Sequence, residues 1–128
     1  MKKLILIIFA IFVLTACGQN KENEQEAVYV NITAQQAKDI MDSREGYIIL
    51  DTRTQEEYDE SHIPGAMLIP YDEILEKAEG MLPDKNQLIL VYCRSGWRSK
   101  LAAEDLVKLG YTNIKEFGGI IDWPYEVE

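Results

Sequence analysis

Short apolar runs alternate along the chain with segments in which apolar residues recur at helical spacing. The runs are bounded by polar residues, Gly or Pro, which is typical of buried strands, whereas a period near 3.6 residues is typical of helices. This alternation predicts an α/β fold with a central, mostly parallel five-stranded sheet flanked by helices on both faces. The predicted strands lie at 28–32, 47–50, 66–69, 88–92 and 113–117, and the predicted helices at 34–41, 55–58, 71–79 and 99–109.

Several single residues mark where these helices begin and end. Thr33 and Thr54 directly precede helical segments and are suited to cap them, because a threonine hydroxyl accepts a hydrogen bond from an unpaired amide of the first turn. Pro70 precedes the third helical segment, which Gly80 is predicted to end. Gly110 is predicted to end the fourth, since glycine readily takes the left-handed conformation that follows many helices.

The first residues have the pattern of an export signal. Lys2 and Lys3 are followed by an apolar run over 4–13, which is too short to span a bilayer comfortably. We therefore predict a signal peptide over 1–16. Residues 14–17, Leu-Thr-Ala-Cys, resemble the lipobox of bacterial lipoproteins, which implies cleavage before Cys17, acylation of Cys17 and a lipid-anchored position on the extracytoplasmic face of the cell membrane. The alternatives are an ordinary signal peptide that ends near a cysteine and an uncleaved anchor.

The segment after the signal peptide is polar and charged. Residues 17–27 combine the predicted lipidated Cys17 with a stretch that has too little apolar surface to fold, so we predict a flexible tether. Residues 28–128 are enough for one domain with its own core. The chain carries a net charge of −9, and removal of the signal peptide would make it more acidic. This balance argues against nucleic acid as a partner.

The most informative segment is the seven residues from Cys93 to Ser99. Cys93 follows a buried strand and precedes a helix, so its thiol would face amide groups and the positive end of the helix dipole. Arg94 and Arg98 add positive charge on either side. Such a setting favours the thiolate, which is the reactive species, and indicates a nucleophile that handles a small anion. The alternative is that Cys93 is a small buried hydrophobic residue.

The number of cysteines supports a reactive thiol. Cys17 and Cys93 are the two cysteines of the sequence, and an acylated Cys17 leaves Cys93 without a disulfide partner in its own chain. An unpaired cysteine in an exported protein is either linked to another molecule or reactive. The sequence holds one histidine and no C-x-x-C pair, so we expect no metal site.

Taken in order, several motifs resemble those of the rhodanese-like domain, a single-domain sulfurtransferase module. The resemblance runs from about residue 31 to 123. It is carried by Asp51-Thr52-Arg53, Glu57-Tyr58, His62-Ile63-Pro64-Gly65-Ala66, the loop Cys93-Arg94-Ser95-Gly96-Trp97-Arg98-Ser99, and Gly118-Gly119-Ile120 with Trp123.

The resemblance implies a rhodanese-like fold and a sulfur-transfer reaction. Cys93 would accept a sulfane sulfur from a donor such as thiosulfate, and a cyanide or thiol acceptor would then remove it from the Cys93 persulfide. No cofactor beyond this persulfide is implied, and the protein is expected to act as a monomer. The basic Arg94 resembles its counterpart in thiosulfate-type loops. The residues expected to bind the anion are Arg94, Ser95, Gly96, Trp97, Arg98 and Ser99, with Trp97 either shielding the pocket or packing on a neighbouring helix.

Four further residues are assigned supporting roles. Asp51 and Arg53 stand at the end of another strand, near the same edge of the sheet. The i,i+4 spacing predicts that Arg53 pairs with Glu57. His62 lies between a turn and Pro64, and we interpret it as a hydrogen-bonded structural residue rather than a general base.

Two other functions compete with sulfur transfer. A phosphatase or arsenate reductase on the same fold would use a C-x5-R loop, whereas Cys93 and Arg98 form a shorter C-x4-R loop. A non-enzymatic protein that carries sulfur to a partner, or only binds one, would need the same cysteine. Turnover with a small acceptor distinguishes the enzyme from the carrier.

Overall fold

The computed structural model describes residues 28–128. The predicted signal peptide, 1–16, and the predicted tether, 17–27 with Cys17, lie outside the described residues. Within 28–128, no helix is long and apolar enough to cross a membrane.

Five strands and four α-helices follow one another in alternation, as the sequence pattern predicts. Two single turns of 3-10 helix, Tyr71–Glu73 and Ile120–Asp122, complete the described secondary structure. The strands are β1 Val30–Asn31, β2 Tyr47–Asp51, β3 Met67–Leu68, β4 Leu88–Cys93 and β5 Ile114–Gly119; the helices are α1 Ala34–Ser43, α2 Gln55–Glu60, α3 Ile74–Met81 and α4 Trp97–Lys108.

The strands form one parallel sheet in the order β1-β5-β4-β2-β3. β4 lies in the centre, and all six of its residues are buried. One core covers the face under α3 and α4 and includes Ile74, Ala102 and Leu106. A second core covers the opposite face and includes Ala37 of α1 and Trp123. The predicted α/β fold, a five-stranded parallel sheet with helices on both faces, is therefore confirmed.

The local signals for helix ends are mostly correct. Thr33 and Thr54 cap α1 and α2, each in a reciprocal arrangement with the side chain three residues later. Gly110 has a φ of 91° directly after the end of α4. Gly80 does not end the third helix, because it lies inside α3, which continues to Met81. Pro83 follows the C-cap Leu82, so the chain leaves the helix before the proline.

Helix α4 begins earlier than the sequence pattern predicts. Its first residue is Trp97 rather than Ser99. The reason is Gly96, whose φ of 111° lies in the left-handed region and turns the chain into the helix directly after the loop. The carboxyl end of the central strand and the first turn of α4 are therefore separated by three residues, Arg94, Ser95 and Gly96.

Candidate active site

Cys93 is the last residue of the central strand β4 and has no exposed surface. The amide of Gly96 donates a hydrogen bond to its Sγ at 3.0 Å. Gly96 is the N-cap of α4, a helix of 12 residues, so the thiol lies at the positive end of the helix dipole. Ligands of open α/β sheets bind at this carboxyl edge.

The loop after Cys93 is held by the end of β5. Gly119 pairs with Cys93 in the sheet, and a Cβ added to Gly119 would lie 1.9 Å from the carbonyl oxygen of Arg94. The same carbonyl accepts a hydrogen bond from the amide of Ile121 at 3.2 Å. Close approach of two backbones therefore fixes the start of the loop, and only glycine leaves room for it.

Ser99 connects the thiol to a buried carboxylate. Its Oγ lies 3.3 Å from Cys93 Sγ and 2.6 Å from Glu116 Oε1. Ser99 is fully buried, and Glu116 is 2% exposed. The amide of Gly118 also donates to Glu116 Oε1, at 2.9 Å.

The guanidinium of Arg98 is paired with the carboxylate of Glu57, so it is not a free cation beside the thiol. The guanidinium donates to both carboxylate oxygens of Glu57, at 2.7 and 2.9 Å. These hydrogen bonds raise the pKa of Arg98 and lower the pKa of Glu57 from 4.5 to about 2. The predicted Arg53–Glu57 pair is therefore wrong. Arg53 precedes the N-cap Thr54, so the helical i,i+4 rule does not apply to it.

Arg53 instead completes a buried polar cluster with Asp51. Its Nη2 lies 2.7 Å from Asp51 Oδ2, and it also donates to the carbonyl of Ser61 at 2.7 Å. The hydroxyl of Tyr92 donates to the same carboxylate at 2.6 Å. Burial, together with this hydrogen bond to Asp51, raises the pKa of Tyr92. Asp51 thus ties the end of β2 to the residue that precedes Cys93.

His62 makes contacts of a structural kind, away from the thiol loop. Its Nδ1 lies 2.8 Å from the carbonyl oxygen of Tyr58, and its ring stacks on that of Tyr58 with centroids 3.9 Å apart. Its Nε2 lies 3.2 Å from a carboxylate oxygen of Glu128. These contacts hold the turn that follows α2.

A cavity of about 410 Å³ opens beside the loop. It is lined by Arg53, Glu57, Glu60, Arg94, Arg98 and Ile120. Arg94 is exposed and forms no ion pair with any residue in 28–128. Because Arg53 and Arg98 are both held by carboxylates, Arg94 is the cation of the cavity that is free to bind an anion.

Four of the predicted anion-binding residues lie outside this lining: Ser95, Gly96, Trp97 and Ser99. Ser95 is exposed, and Trp97 is 57% exposed with its ring packed edge-on against Tyr71 at a centroid distance of 5.5 Å. Trp97 thus takes the packing role that the sequence left open, against the 3-10 turn after Pro70. Among residues 28–128, no group of His, Cys, Asp and Glu side chains could hold a metal ion.

Glu116 and the hydroxyl of Tyr92 are not among the site residues predicted from the sequence. Glu116 falls two residues after the buried Ile114, on the strand face that packs against α4. A carboxylate at a buried strand position is unusual, and that signal could have marked Glu116. The link from Tyr92 to Asp51 joins residues 41 positions apart, and no local pattern predicts it.

Comparison with known proteins decides the family. The model of the family described as rhodanese-like domain matches residues 33–124. The chain belongs to the rhodanese-like domain family. Its own rhodanese-like domain, which contains Cys93, Ser99 and Glu116, falls almost wholly within the matched range.

Three relatives place this rhodanese-like domain more closely. It is 40% identical over 73 residues to the thiosulfate sulfurtransferase PspE of Escherichia coli, covering 57% of this chain and 70% of that protein. It is 34% identical over 112 residues to the putative sulfur carrier protein YrkF of Bacillus subtilis, covering 87% of this chain and 60% of that one.

The third relative is a solved structure, a rhodanese with anions from E. coli. It superposes with a TM-score of 0.60 at 35% identity, over 64% of this chain and 96% of that one. The family match and these similar proteins together show that the protein is a rhodanese-type sulfurtransferase.

Proposed function

We propose that this domain moves a sulfane sulfur from thiosulfate to a thiophilic acceptor such as cyanide or a thiol, through a persulfide on Cys93. The observation that carries the proposal is the hydrogen bond from the Gly96 amide to Cys93 Sγ at the start of α4. A backbone donor at a helix N-terminus stabilises negative charge on sulfur, and a thiolate is the nucleophile that the reaction needs.

The reaction takes two displacements at sulfur. In the first, the Cys93 thiolate attacks the sulfane sulfur of thiosulfate; an S–S bond to Cys93 forms, the bond to the sulfonate sulfur breaks, and its electron pair leaves with sulfite. In the second, cyanide attacks the terminal sulfur of the persulfide. A carbon–sulfur bond forms, thiocyanate leaves, and the electron pair of the S–S bond returns to Cys93 as thiolate.

Charge in the cavity favours a small anionic donor. Arg94 is exposed in the cavity, whereas Arg98 is held by Glu57. We therefore assign the first contact with the thiosulfate sulfonate to Arg94 and assign the shape of the loop to Arg98. Because Cys93 has no exposed surface, the groups that cover Sγ must shift before the donor reaches it.

The test is a thiosulfate-to-cyanide assay on the soluble fragment 28–128, with Cys93→Ser as the matched variant. We expect thiocyanate to form over many turnovers with the native sequence and not with the variant. Persulfide formation without turnover by cyanide or a small thiol would favour the carrier function instead. Efficient hydrolysis of an aryl phosphate would favour the phosphatase function.

We also propose that the mature protein begins at Cys17 and is held at the extracytoplasmic face of the cell membrane by acyl chains. The support is the basic start, the short apolar run and Leu14-Thr15-Ala16-Cys17. One acyl chain binds a membrane only weakly, whereas two give stable anchoring. The rhodanese-like domain would then act on sulfur compounds outside the cytoplasm.

A further inference from the structure

Glu116 is a buried carboxylate close to the reactive sulfur. It lies on β5, is 2% exposed, and forms no ion pair with any residue of the described chain, 28–128. Two hydrogen-bond donors contact its Oε1, the hydroxyl of Ser99 at 2.6 Å and the amide of Gly118 at 2.9 Å. A buried carboxylate that no cation pairs depends on these donors for its stability.

The hydroxyl of Ser99 is the one partner of Glu116 that can reverse its hydrogen bond. It has a single hydrogen and can also accept, whereas the amide of Gly118 can only donate. Its Oγ is 3.3 Å from Cys93 Sγ and 2.6 Å from Glu116 Oε1. When Ser99 donates to Glu116, its Oγ can accept from the thiol; when Glu116 holds a proton and donates to Ser99, the hydroxyl can donate to a thiolate.

We propose that Glu116 takes up, through Ser99, the proton that the Cys93 thiol loses before it attacks the sulfur donor. The sulfur–hydrogen bond of Cys93 breaks and its electron pair stays on Sγ. The proton binds Ser99 Oγ as the hydroxyl proton passes to Glu116 Oε1. One thiol and one carboxylate become one thiolate and one carboxylic acid, so charge and protons balance without a co-reactant.

Both states of this relay keep the hydrogen bonds that join Cys93, Ser99, Glu116 and the amide of Gly118. The carbonyl oxygen of Gly96, 3.0 Å from Ser99 Oγ, receives the single hydroxyl hydrogen in neither state. The amide of Gly96, 3.0 Å from Sγ, donates in both and binds the thiolate more strongly. Glu116 contacts Ser99 but not Cys93 Sγ, where the sulfur donor reacts. It is therefore a positioning residue that acts through Ser99. The inference rests on the proposed role of Cys93 as nucleophile.

Other charged groups around the pair do not supply the same proton acceptor. Arg98 of α4 lies near Cys93, and its charge is paired with Glu57 of α2. Arg94, in the loop itself, is a cation and accepts no proton. Tyr29 precedes β1, and burial together with the charges of Glu104 and Glu116 raises its pKa. It therefore stays neutral over the range in which Cys93 reacts.

The test is the rate at which the neutral reagent iodoacetamide alkylates Cys93, measured against pH on fragment 28–128. Glu116→Gln keeps the shape of the side chain but cannot hold the proton. Glu104→Gln, an exposed carboxylate of α4, is the matched control. We expect Glu116→Gln to slow alkylation at pH 7 by about 100-fold, the lower end of what a positioned base contributes, and Glu104→Gln to leave it unchanged.

The pH profile separates proton uptake from a structural role. At high pH the solvent removes the thiol proton in every variant, so the rates of Glu116→Gln and the native sequence should converge. Ser99→Ala should give the same converging profile, and Ser99→Thr, which restores a hydroxyl, should recover most of the rate. If Glu116→Gln is unfolded, the two Ser99 variants carry the test alone. A loss equal at all pH values, or no loss, overturns the inference.

An infrared difference spectrum provides a readout that does not depend on rates. At pH 7, the difference spectrum between the native fragment and Cys93→Ser should contain the carbonyl band of a protonated carboxyl, because only the native thiol can pass a proton to Glu116, and Glu116→Gln should lack this band. Its absence in the native sequence overturns the inference. Alkylation of Cys93 does not require sulfur transfer. The claim that Glu116 takes up the proton and the claim that Cys93 transfers sulfur can therefore fail independently. Thiosulfate turnover with a pH-independent Glu116 effect would leave the proposed function intact.

Discussion

Arg98 and Glu57 lie 41 positions apart in the sequence, yet their side chains form a bidentate ion pair with N···O distances of 2.7 and 2.9 Å. The pair joins the first turn of α4 to α2 and is only partly exposed, 12% for Arg98 and 27% for Glu57. It therefore fixes the helix whose N-terminus contacts Cys93. Because the carboxylate of Glu57 neutralises the guanidinium of Arg98, Arg98 attracts an anion only weakly. The principal effect of the pair is therefore to hold the shape of the loop.

Replacement of Glu57 by glutamine tests the stability that this pair provides. The new side chain would retain the reciprocal cap with Thr54, since glutamine also serves at the third position of a helix, so the lost interaction is the charge pair. We expect Glu57→Gln to lower the free energy of unfolding by about 1–2 kcal/mol at pH 6. Urea unfolding of both proteins measures the difference.

The same difference should vanish in acid. The hydrogen bonds and charge of Arg98, with a smaller contribution from Thr54, lower the pKa of folded Glu57 from 4.5 to about 2. A carboxyl with a lowered pKa stabilises the fold fully above pH 4.5 and loses that effect as the pH falls through 2. The native protein and Glu57→Gln should therefore converge in stability between pH 4.5 and 2. A difference that persists at the acid end would contradict the pair as its cause.

Arg94 should govern the preference for anionic reagents. It is the cation of the cavity that no carboxylate holds within residues 28–128. We expect Arg94→Gln to slow alkylation of Cys93 by iodoacetate about fivefold, the effect of roughly 1 kcal/mol, and to leave alkylation by neutral iodoacetamide unchanged. Lys100→Gln removes an exposed charge of α4 instead and should affect neither rate. Equal losses with both reagents would assign Arg94 to loop structure instead.

Gly119 should tolerate no side chain, whereas Gly80 should. An alanine Cβ at 119 would lie 1.9 Å from the carbonyl oxygen of Arg94, while one at 80 meets nothing within 4 Å. We expect Gly119→Ala to destabilise the domain by about 1–3 kcal/mol and to abolish sulfur transfer. Gly80→Ala, inside α3, should stabilise it by about 0.5–1 kcal/mol. Thermal unfolding of the two variants checks both signs, and an active, stable Gly119→Ala would show that the loop does not depend on this contact.

Features with a local cause were predictable from the sequence. A threonine before a helical segment caps its own first turn, and so Thr33 and Thr54 could be assigned without the fold. The prediction that Gly80 ends the third helix was wrong, because a glycine inside a helix gives the same sequence signal as a glycine at its end. The Arg53–Glu57 error has a similar origin, since a helical rule was applied to a residue in front of the helix.

Contacts across the sheet were not predictable in the same way. The position of Cys93 after a buried strand indicated the site, but its neighbours come from distant parts of the chain. Glu116 reaches Ser99 from β5, and Tyr92 reaches Asp51 from β4. Strand order decides which of these side chains meet, and the sequence pattern indicated parallel strands without indicating their order.

Fatty-acid labelling tests the proposed place of the protein in the cell. The native sequence should incorporate a fatty-acid analogue and partition into detergent, because two or more acyl chains anchor stably. Cys17→Ala should take up no label and remain an unlipidated precursor or a differently cleaved soluble form. Membrane-bound native protein without label would contradict the lipid anchor and favour an uncleaved apolar segment.

The most direct test of sulfur transfer through Cys93 is the intact mass of fragment 28–128 after treatment with thiosulfate and removal of the excess. The account predicts that the native fragment gains the mass of one sulfur atom and loses it on addition of cyanide. Cys93→Ser, nearly the same in shape, should remain folded and gain nothing. An added sulfur on the serine variant, or none on the folded native fragment, would contradict the Cys93 persulfide.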